Sequence, residues 1–495
     1  MRHMTEEFSG LGLAETFRRS GQGTDNRQRR AVIGQFLTPA TTAAFAAFMF
    51  PQMTGPVRLL DPGAGAGALL GAFLDTHAIS MTDATVTAVE IDEAVTAPLR
   101  RLQAFYKERG ATVEVVTEDF VEWAVPQVVA GRRPFTHAIL NPPYKKIKTQ
   151  SWERQELSRA GIEAVNIYAG FTALALELLE DGGELVAIIP RSFCNGPYYR
   201  PFRQFLLDRA ALRHIHLFDT RNKAFRDDKV LQEIMIVRLT CGAVQGDVTV
   251  TTSADDTFAD LEMKTHPFTR IVRPGDHELF IHVPTTANDG PLAELNGVHC
   301  SLADLGLTVS TGPVVDFRLK DHLRPMPDDG TAPLLYPGHF RTGNLTWPLP
   351  DFRKANAIAI NEVTQRWLYP VGAYTVVRRF SAKEERRRVV ASVLDPDVLP
   401  NGNEWIGIEN HLNVFHHDRR GLEPDLARGL AVYLNSTAVD DHLRRFSGHT
   451  QVNATCLRNL PYPSLKTLTA LGVWHKGGGM AGQGEIDAKV EELAA

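Results

Sequence analysis

The chain has 495 residues, 43% of them hydrophobic and 22% charged, with a formal net charge of −5. Its length exceeds one ordinary core and points to two or three domains, while its composition excludes a largely disordered chain. No apolar run nears the roughly 18 residues that span a bilayer, the opening MRHMTEEFSG lacks a secretory core, and the negative balance leaves polyanions only a locally basic cleft. A cytoplasmic protein with no membrane partner is expected. The four cysteines, Cys194, Cys241, Cys300 and Cys456, have no CxxC spacing, and no histidine pair has ligand spacing. Neither a disulfide framework nor a metal site is expected.

In chain order, an N-terminal helical arm through residue 50 precedes VRLL, Val57 to Leu60, a short apolar strand that breaks at Asp61-Pro62 and resumes as a helix from Ala66. ATVTAVEID reads as a second strand ending on Glu90, followed by a helix over Pro98 to Glu108. TVEVVTEDF is a third strand and FTHAIL a fourth. The helix YAGFTALALELLEDGG closes on a Gly pair, a C-cap signal, before the strand ELVAIIP. LRHIHLF and EIMIVRL are two further strands. The alternation predicts a doubly wound, mostly parallel Rossmann-like α/β sheet over residues 51–245. Residues 246–465, punctuated by Pro, Gly and Asp, read as a separate α+β domain whose start lies between 245 and 300. Residues 466–495, with HKGGGMAGQGE, read as a flexible tail carrying a short polar helix.

The chemistry gathers at the carboxyl ends of the strands. Gly63, Gly65 and Gly67 stand where the first strand turns into a helix, which fits either a tight turn or a close backbone approach to a ligand. Glu90 ends the next strand about 25 residues later, where a carboxylate can accept from both hydroxyls of a ribose. A nucleoside cofactor follows. Asp119-Phe120 ends the third strand beside the place of an adenine ring, and Asn141 ends the fourth. Ligands of open α/β sheets bind outside these carboxyl ends, so the four stations face one crevice. HAILNPPYKKIK adds two prolines that stop the strand at Asn141-Pro142-Pro143-Tyr144.

In this order and spacing, GQFLTPATTAAFAAFMF, DPGAGAGALL, AVEID, EDF and NPPY resemble the gamma-class N6-adenine DNA methyltransferases, within them the PstI-like type II modification methylases. The resemblance covers nearly the whole chain and extends to VSTGPVVDFR, VVRRFSAKEERRR and GHTQVNATCLRNLPYP. It implies S-adenosylmethionine as cofactor, held by Phe36, Thr38, Pro39, Asp61, Gly63, Gly65, Gly67, Glu90, Asp119, Phe120 and Asn141. Residues 1–50 then carry the motif that covers the cofactor, 51–245 the catalytic domain and 246–465 a DNA target-recognition domain. One departure stands at Cys456, where the family pattern usually has an acid.

Under this resemblance the Asn141 side-chain oxygen and the Pro142 carbonyl each accept one N–H of an adenine amine, aiming its otherwise delocalised lone pair at the methyl group. The adenine must first be flipped out of duplex DNA, the expected partner. Tyr144 then stacks on the base, and Phe225 resembles a second wall, with a core residue as the alternative. Lys145, Lys146 and Lys148 fit phosphate contacts or a solvated loop equally. Arg378, Arg379 and Lys383, in a run that continues through Arg386, Arg387 and Arg388, fit a DNA groove, with a solvated face as the alternative. Gln451 and Asn453 are side-chain types that read adenine edges, or they belong to a packed loop. The expected reaction is site-specific adenine N6 methylation within a restriction-modification system, by a monomer or homodimer, with a separately encoded restriction endonuclease as further partner. An RNA or protein-glutamine methyltransferase would use the same NPPY chemistry and is the alternative.

Overall fold

A computed structural model describes residues 9–20, 37–53, 55–77, 80–218, 233–284, 297–340, 345–381, 385–400, 402–446, 451–476 and 481–494. The chain divides into two compact units, Met1–Thr285 and Thr286–Ala495.

In the first unit, helices α1 (Gly10–Ser20) and α2 (Ala40–Phe48) precede the sheet. Then come β1 (Val57–Pro62), α3 (Ala68–Thr76), β2 (Ala84–Val89), α4 (Glu93–Lys107), β3 (Thr112–Val116), α5 (Phe120–Val129) and β4 (Phe135–Leu140). The rest is α6 (Trp152–Arg159), α7 (Ile167–Glu177), β5 (Leu179–Pro190), α8 (Arg200–Arg209), β6 (Ala210–Phe218), β7 (Ile234–Cys241), β8 (Val248–Ser253) and β9 (Glu262–His266). Among the described residues these strands form one nine-stranded sheet in the order β3-β2-β1-β4-β5-β7-β6-β8-β9. β1 to β5 pair in parallel, while β7 runs antiparallel to both β5 and β6.

Both faces of this sheet are covered, which is why its strands read as continuous apolar runs. Leu60, Leu140, Leu185 and Ala187 pack with α5 and α7 on one face. Leu59, Ile139, Val186 and Ile188 pack with α2, α3 and α4 on the other. A period of two therefore sends neighbouring residues of one strand into opposite cores.

Four expectations need correction. The helix expected from Pro98 begins at Glu93, because the Asp92 side chain accepts from Ala94 N and caps it. Gly182 and Gly183 do not cap α7: the helix stops at Leu178 and the pair lies inside β5, with Gly182 at φ 83°. The pairing of β5 with β4 shifts register there, between Phe135 and His137. The first domain does not close at 245, since β8 pairs in parallel with β6 and β9 pairs with β8, extending the sheet to His266.

In the second unit, a four-stranded sheet orders Thr308–Thr311, Leu412–His416, Tyr374–Arg378 and Ala391–Leu394. A five-stranded sheet orders Leu323–Arg324, Ala357–Ala359, Thr331–Leu335, Trp405–Ile408 and Leu368–Pro370. The tail is the fourth correction: Leu465–His475 and Gln483–Ala494 are helices that bury Leu468, Leu471, Val490 and Ala494. Asp487 accepts from Thr437 N at 2.7 Å, and Gly297 N donates to Ala494 O at 2.9 Å. Residues 477–480 lie outside the described residues.

The helices Pro424–Leu434 and Leu465–His475 cross backbone to backbone. A Cβ on Gly429 would lie 1.7 Å from Leu468 O, and one on Gly472 the same distance from Asp425 O. Gly429→Ala is therefore expected to force the helices apart and destabilise the second unit by about 1–3 kcal/mol. Urea denaturation followed by tryptophan fluorescence would read this as a lowered midpoint, and an unchanged midpoint would contradict the crossing.

Candidate active site at the carboxyl edge of the sheet

The turn from β1 to α3 is built from left-handed glycines. Gly63, Gly65 and Gly67 have φ of 72°, 55° and 83°, a region that side chains strain. Gly63 N and Ala64 N donate to Val89 O at 2.8 and 3.1 Å, tying the turn to the end of β2. A Cβ at Gly67 would meet Leu102 of α4 at 2.4 Å, and one at Gly65 would meet Leu37 at 3.3 Å.

Two carboxylates lie under this turn. Glu90 is 4% exposed; its Oε2 accepts from Gly65 N at 2.8 Å and its Oε1 from Asp92 N at 2.7 Å. Burial raises its pKa above the ordinary carboxylate value. Asp61, at the end of β1, is fully buried and accepts from Leu70 N at 3.2 Å through Oδ2, while its Oδ1 has no hydrogen-bond partner. Burial, with Glu90 nearby, pushes its pKa up to about 8.

A cavity of about 270 Å³ opens beside the turn. Its wall includes Gly63, Gly65, Glu90, Asp119, Phe120 and Asn141, which gathers the four stations expected at the strand ends. Leu37 and Thr38 contribute from the segment before α2. Asp61, Gly67 and Pro39 stand behind this wall: Asp61 lies under the turn, Gly67 is closed by Leu102, and Pro39 is the N-cap of α2. Asp119 is itself an N-cap, its Oδ1 accepting from Val121 N and Glu122 N at 2.8 and 3.2 Å. Phe120 packs against Phe171 of α7 with ring centroids 4.8 Å apart. Phe171 lines the cavity too, as do Ala14 and Arg18 of α1. None of these three was singled out by spacing: α1 precedes every glycine or proline signal, and Phe171 reads as one apolar residue of a core helix.

Past β4, the Asn141 amide is held at both ends. Its Nδ2 donates to Thr38 Oγ1 at 3.0 Å, and its Oδ1 accepts from the Tyr144 hydroxyl at 2.8 Å. That hydroxyl also lies 3.2 Å from Ile188 O. Burial holds the Tyr144 phenol well above its ordinary pKa, so the group is a proton donor. The ring is half-buried, edge-on to Tyr168 at 6.3 Å and 87°. Pro142 is buried and Pro143 lines the cavity. Lys145 and Lys146 are exposed just beyond, with Lys145 O accepting from Ile167 N at 2.8 Å.

Much of the basic run in the second unit is committed internally. Arg388 is fully buried, with Nε donating to Ser381 Oγ at 3.1 Å. Arg387 donates to Ser436 O at 2.7 Å and Arg378 pairs with Glu385. Arg379, half-buried, reaches Asn410 O at 3.2 Å and Gln451 Oε1 at 3.3 Å, which brings two of the expected residues together. Asn453 is the N-cap residue of Ala454–Arg458, a helix that buries Cys456. Phe36, Phe225 and Lys383 lie outside the described residues.

The Eco57I restriction-modification methylase family matches residues 69–225. The chain is 46% identical over 478 residues to the type II methyltransferase M.BsuBI of Bacillus subtilis, covering 94% of this chain and 95% of that one. It is 39% identical over 467 residues to the type II methyltransferase M.PstI of Providencia stuartii, covering 92% of each. In fold it is similar to DrdV in a DrdV–DNA complex, with a TM-score of 0.51 at 13% identity, covering 96% of this chain and 60% of that one.

Asp61 makes a pH-dependent prediction. A carboxyl whose folded pKa is raised from 3.8 to about 8 contributes fully to stability below the unfolded value. That contribution is lost as pH rises toward the folded value. Asp61→Asn keeps an acceptor for Leu70 N and removes the titration. Its Tm relative to wild type is expected to rise between about pH 4 and pH 8, by the equivalent of a few kcal/mol. A pH-independent difference in scanning calorimetry would refute the assignment.

Proposed function

We propose that this chain, which belongs to the type II methyltransferase family of M.BsuBI and M.PstI, is a site-specific DNA adenine methyltransferase. It transfers the methyl of S-adenosylmethionine to N6 of an adenine flipped out of duplex DNA, as the modification enzyme of a restriction-modification system. The observation that carries this reading is the Asn141 amide, fixed at the end of β4 on the wall of the glycine-turn cavity.

The residues present fit the cofactor. Glu90, on the cavity wall, has lone pairs beyond the two backbone bonds it accepts and suits ribose hydroxyls. Phe120 and Phe171 offer flat apolar surface to an adenine ring. Gly65 leaves backbone open to the ligand where a side chain would meet Leu37. The partnerless Asp61 oxygen beneath the turn favours a cation above it, which would draw off the carboxyl proton. When bound, S-adenosylmethionine supplies a methyl on a sulfonium, an electrophile that needs no activation by the protein.

The protein therefore has to prepare the nucleophile. Asn141 Oδ1 accepts one N–H of the adenine amine and the Pro142 carbonyl the other, drawing the nitrogen toward a tetrahedral arrangement. Its lone pair would then be aimed at the methyl the cofactor supplies, and the amine proton displaced by the new N–C bond would leave to solvent. An amide accepts without placing a full charge in the site. Thr38 Oγ1, by taking Nδ2, fixes which end of the amide faces the base. Oδ1 has a second lone pair for the amine, but the Tyr144 ring has to turn out of this contact to stack on the base, so base entry and rotation of Tyr144 are one event. The released ring then stacks on the base, a contact worth roughly 1–3 kcal/mol that offsets much of the flipping cost. Phe225 is assigned the second wall. Lys145 and Lys146 are assigned to phosphates; Arg378, Arg379, Lys383, Gln451 and Asn453 are assigned to DNA contacts of the second unit. A separately encoded endonuclease completes the system.

Labelled S-adenosylmethionine offered to duplex DNA, RNA and protein in parallel is expected to label DNA, at the adenine amine. Label in RNA or protein alone would overturn the reading. Asn141→Ala is expected to lose at least about 100-fold in transfer rate, as removal of one preorganised polar group does elsewhere, with cofactor Kd within about threefold. Tyr144→Phe is expected to keep transfer and Tyr144→Ala to lose it. Equal loss in both would mean that the hydroxyl, not the ring, carries the role.

A further inference from the structure

VSTGPVVDFR, VVRRFSAKEERRR and GHTQVNATCLRNLPYP lie far apart in sequence and meet at one place in the second unit. Thr308–Thr311 and Tyr374–Arg378 pair antiparallel with Leu412–His416, one on each side, so their carboxyl ends flank its first residue. Gly312 N donates to Leu412 O at 2.8 Å on one side, and Arg379 N to His411 O at 2.8 Å on the other. Val452 N donates to Arg379 O at 2.7 Å and Asn413 Nδ2 to Val452 O at 2.7 Å, which ties the third segment to the same edge. At the centre is a turn that belongs to none of the three, Glu409-Asn410-His411. A Cβ at Gly312 would lie 2.3 Å from Glu409 O, so the first segment can come this close only through a glycine.

The turn orients one imidazole. The Glu409 side chain is fully buried and both its oxygens face His411: Oε2 accepts from His411 N at 2.9 Å, and Oε1 meets His411 Nδ1 at 2.5 Å. A carboxylate only accepts, so Nδ1 carries the proton and the neutral ring keeps Nε2 as an acceptor. The His411 side chain is 48% exposed. Its ring lies against that of Phe380, itself 42% exposed, with centroids 4.9 Å apart. The Arg379 guanidinium stands 5.7 Å from the centre of the Phe380 ring, and the Phe380 backbone bridges to Gln451. On the first segment Asp316 interacts electrostatically with His411 and is paired with the exposed Lys354 at 2.7 Å. Phe317, the next residue, is 63% exposed.

Burying a carboxylate to hold one half-exposed ring is costly if packing is the only return. A fixed ring acceptor flanked by exposed aromatic faces and cations is suited to a nucleic acid instead. A phosphate oxygen only accepts and cannot bond to Nε2, whereas the exocyclic amines of adenine and cytosine donate in the major groove. We infer that His411 is a specificity-determining residue, its Nε2 accepting from the exocyclic amine of one adenine or cytosine in the recognised duplex, with Glu409 as the positioning residue that fixes its tautomer. The inference rests on the DNA methyltransferase reading above.

Sequencing of methylated adenines in DNA from a host expressing the full chain gives the recognised sequence; purified protein is then assayed on that duplex and on duplexes changed at one base pair. His411→Asn keeps an N–H for Glu409 and removes Nε2. Its kcat/KM preference for the recognised duplex is expected to fall about 10- to 100-fold at a single base pair, the range of one base-edge contact, and to stay within about threefold of wild type at the others. Glu409→Gln accepts from His411 N through its amide oxygen and donates to Nδ1, which moves the ring proton to Nε2. At that same base pair the preference is expected to move from an amine-bearing edge to the carbonyl of guanine or thymine, a change that a merely structural role does not produce. Equal loss on every duplex, or loss on none, would overturn the role of His411, the first outcome marking a phosphate contact or a displaced turn. Glu409→Gln that only repeats His411→Asn would remove the orienting role. Wild-type protein that methylates no adenine in DNA would instead remove the methyltransferase reading, and this inference with it.

Discussion

The fixed point of the first unit is one side-chain amide. Asn141 stands where two prolines end β4, and its two polar atoms are held from opposite directions by Thr38 and Tyr144. An amide rotated by half a turn would present a donor where an acceptor is required, so a site that depends on Oδ1 needs something to hold Nδ2. Thr38 does this from a segment about 100 residues away in sequence. The N-terminal segment is accordingly part of the site's geometry.

Around that point the sheet gathers groups that have no reason to be near one another in sequence. Parallel strands all end at the same edge, and β1, β2 and β4 deliver the glycine turn, Glu90 and Asn141 to it. The arrangement has an electrostatic price. Asp61 and Glu90 are both buried under the turn, and burial raises the pKa of each. Such a pair is poorly explained by stability alone, because a buried carboxyl with an unpartnered oxygen disfavours the folded state at any pH where it is charged. It fits the proposed cationic cofactor, which would favour the charged form of both groups.

The first unit was largely legible because its code is local. Strands buried on both faces are apolar runs, the glycines mark a turn that only they can make, and consecutive prolines end a strand. What escaped depends on partners far apart in sequence. VTVTTS and EMKTH became β8 and β9, because polar strands with little apolar signal are stabilised by the strands they pair with, β8 by β6 and the edge strand β9 by β8, rather than by their own pattern. Gly182-Gly183 looked like a helix stop because composition cannot distinguish a C-cap from a register shift within a strand. The tail composition, rich in Gly and polar residues, gave no sign that Val490 and Ala494 would be buried. The place of Arg18 on the cavity wall was invisible for the same reason, since α1 carries no motif of its own.

The basic run shows how far a charge count can mislead. Arg378, Arg379, Arg386, Arg387 and Arg388 look in sequence like a cationic stripe. In the folded unit Asp440, about 50 residues on, accepts from the backbone of Arg388 and Val389 through one oxygen, at 2.7 and 2.8 Å, and from Arg444 Nε through the other at 2.7 Å. Arg388 is buried beside this carboxylate, and Arg387 is tied to a backbone carbonyl. The backbone of Arg388 and Val389 is thus tied to the helix Thr437–Phe446, the Arg387 side chain to the residue that precedes it, and the Arg388 side chain to Ser381. A polyanion on this unit would meet Arg386, which is exposed, and the half-buried group of Arg378, Arg379 and Gln451. Within this run Arg379 sets the orientation of a second polar side chain, Gln451.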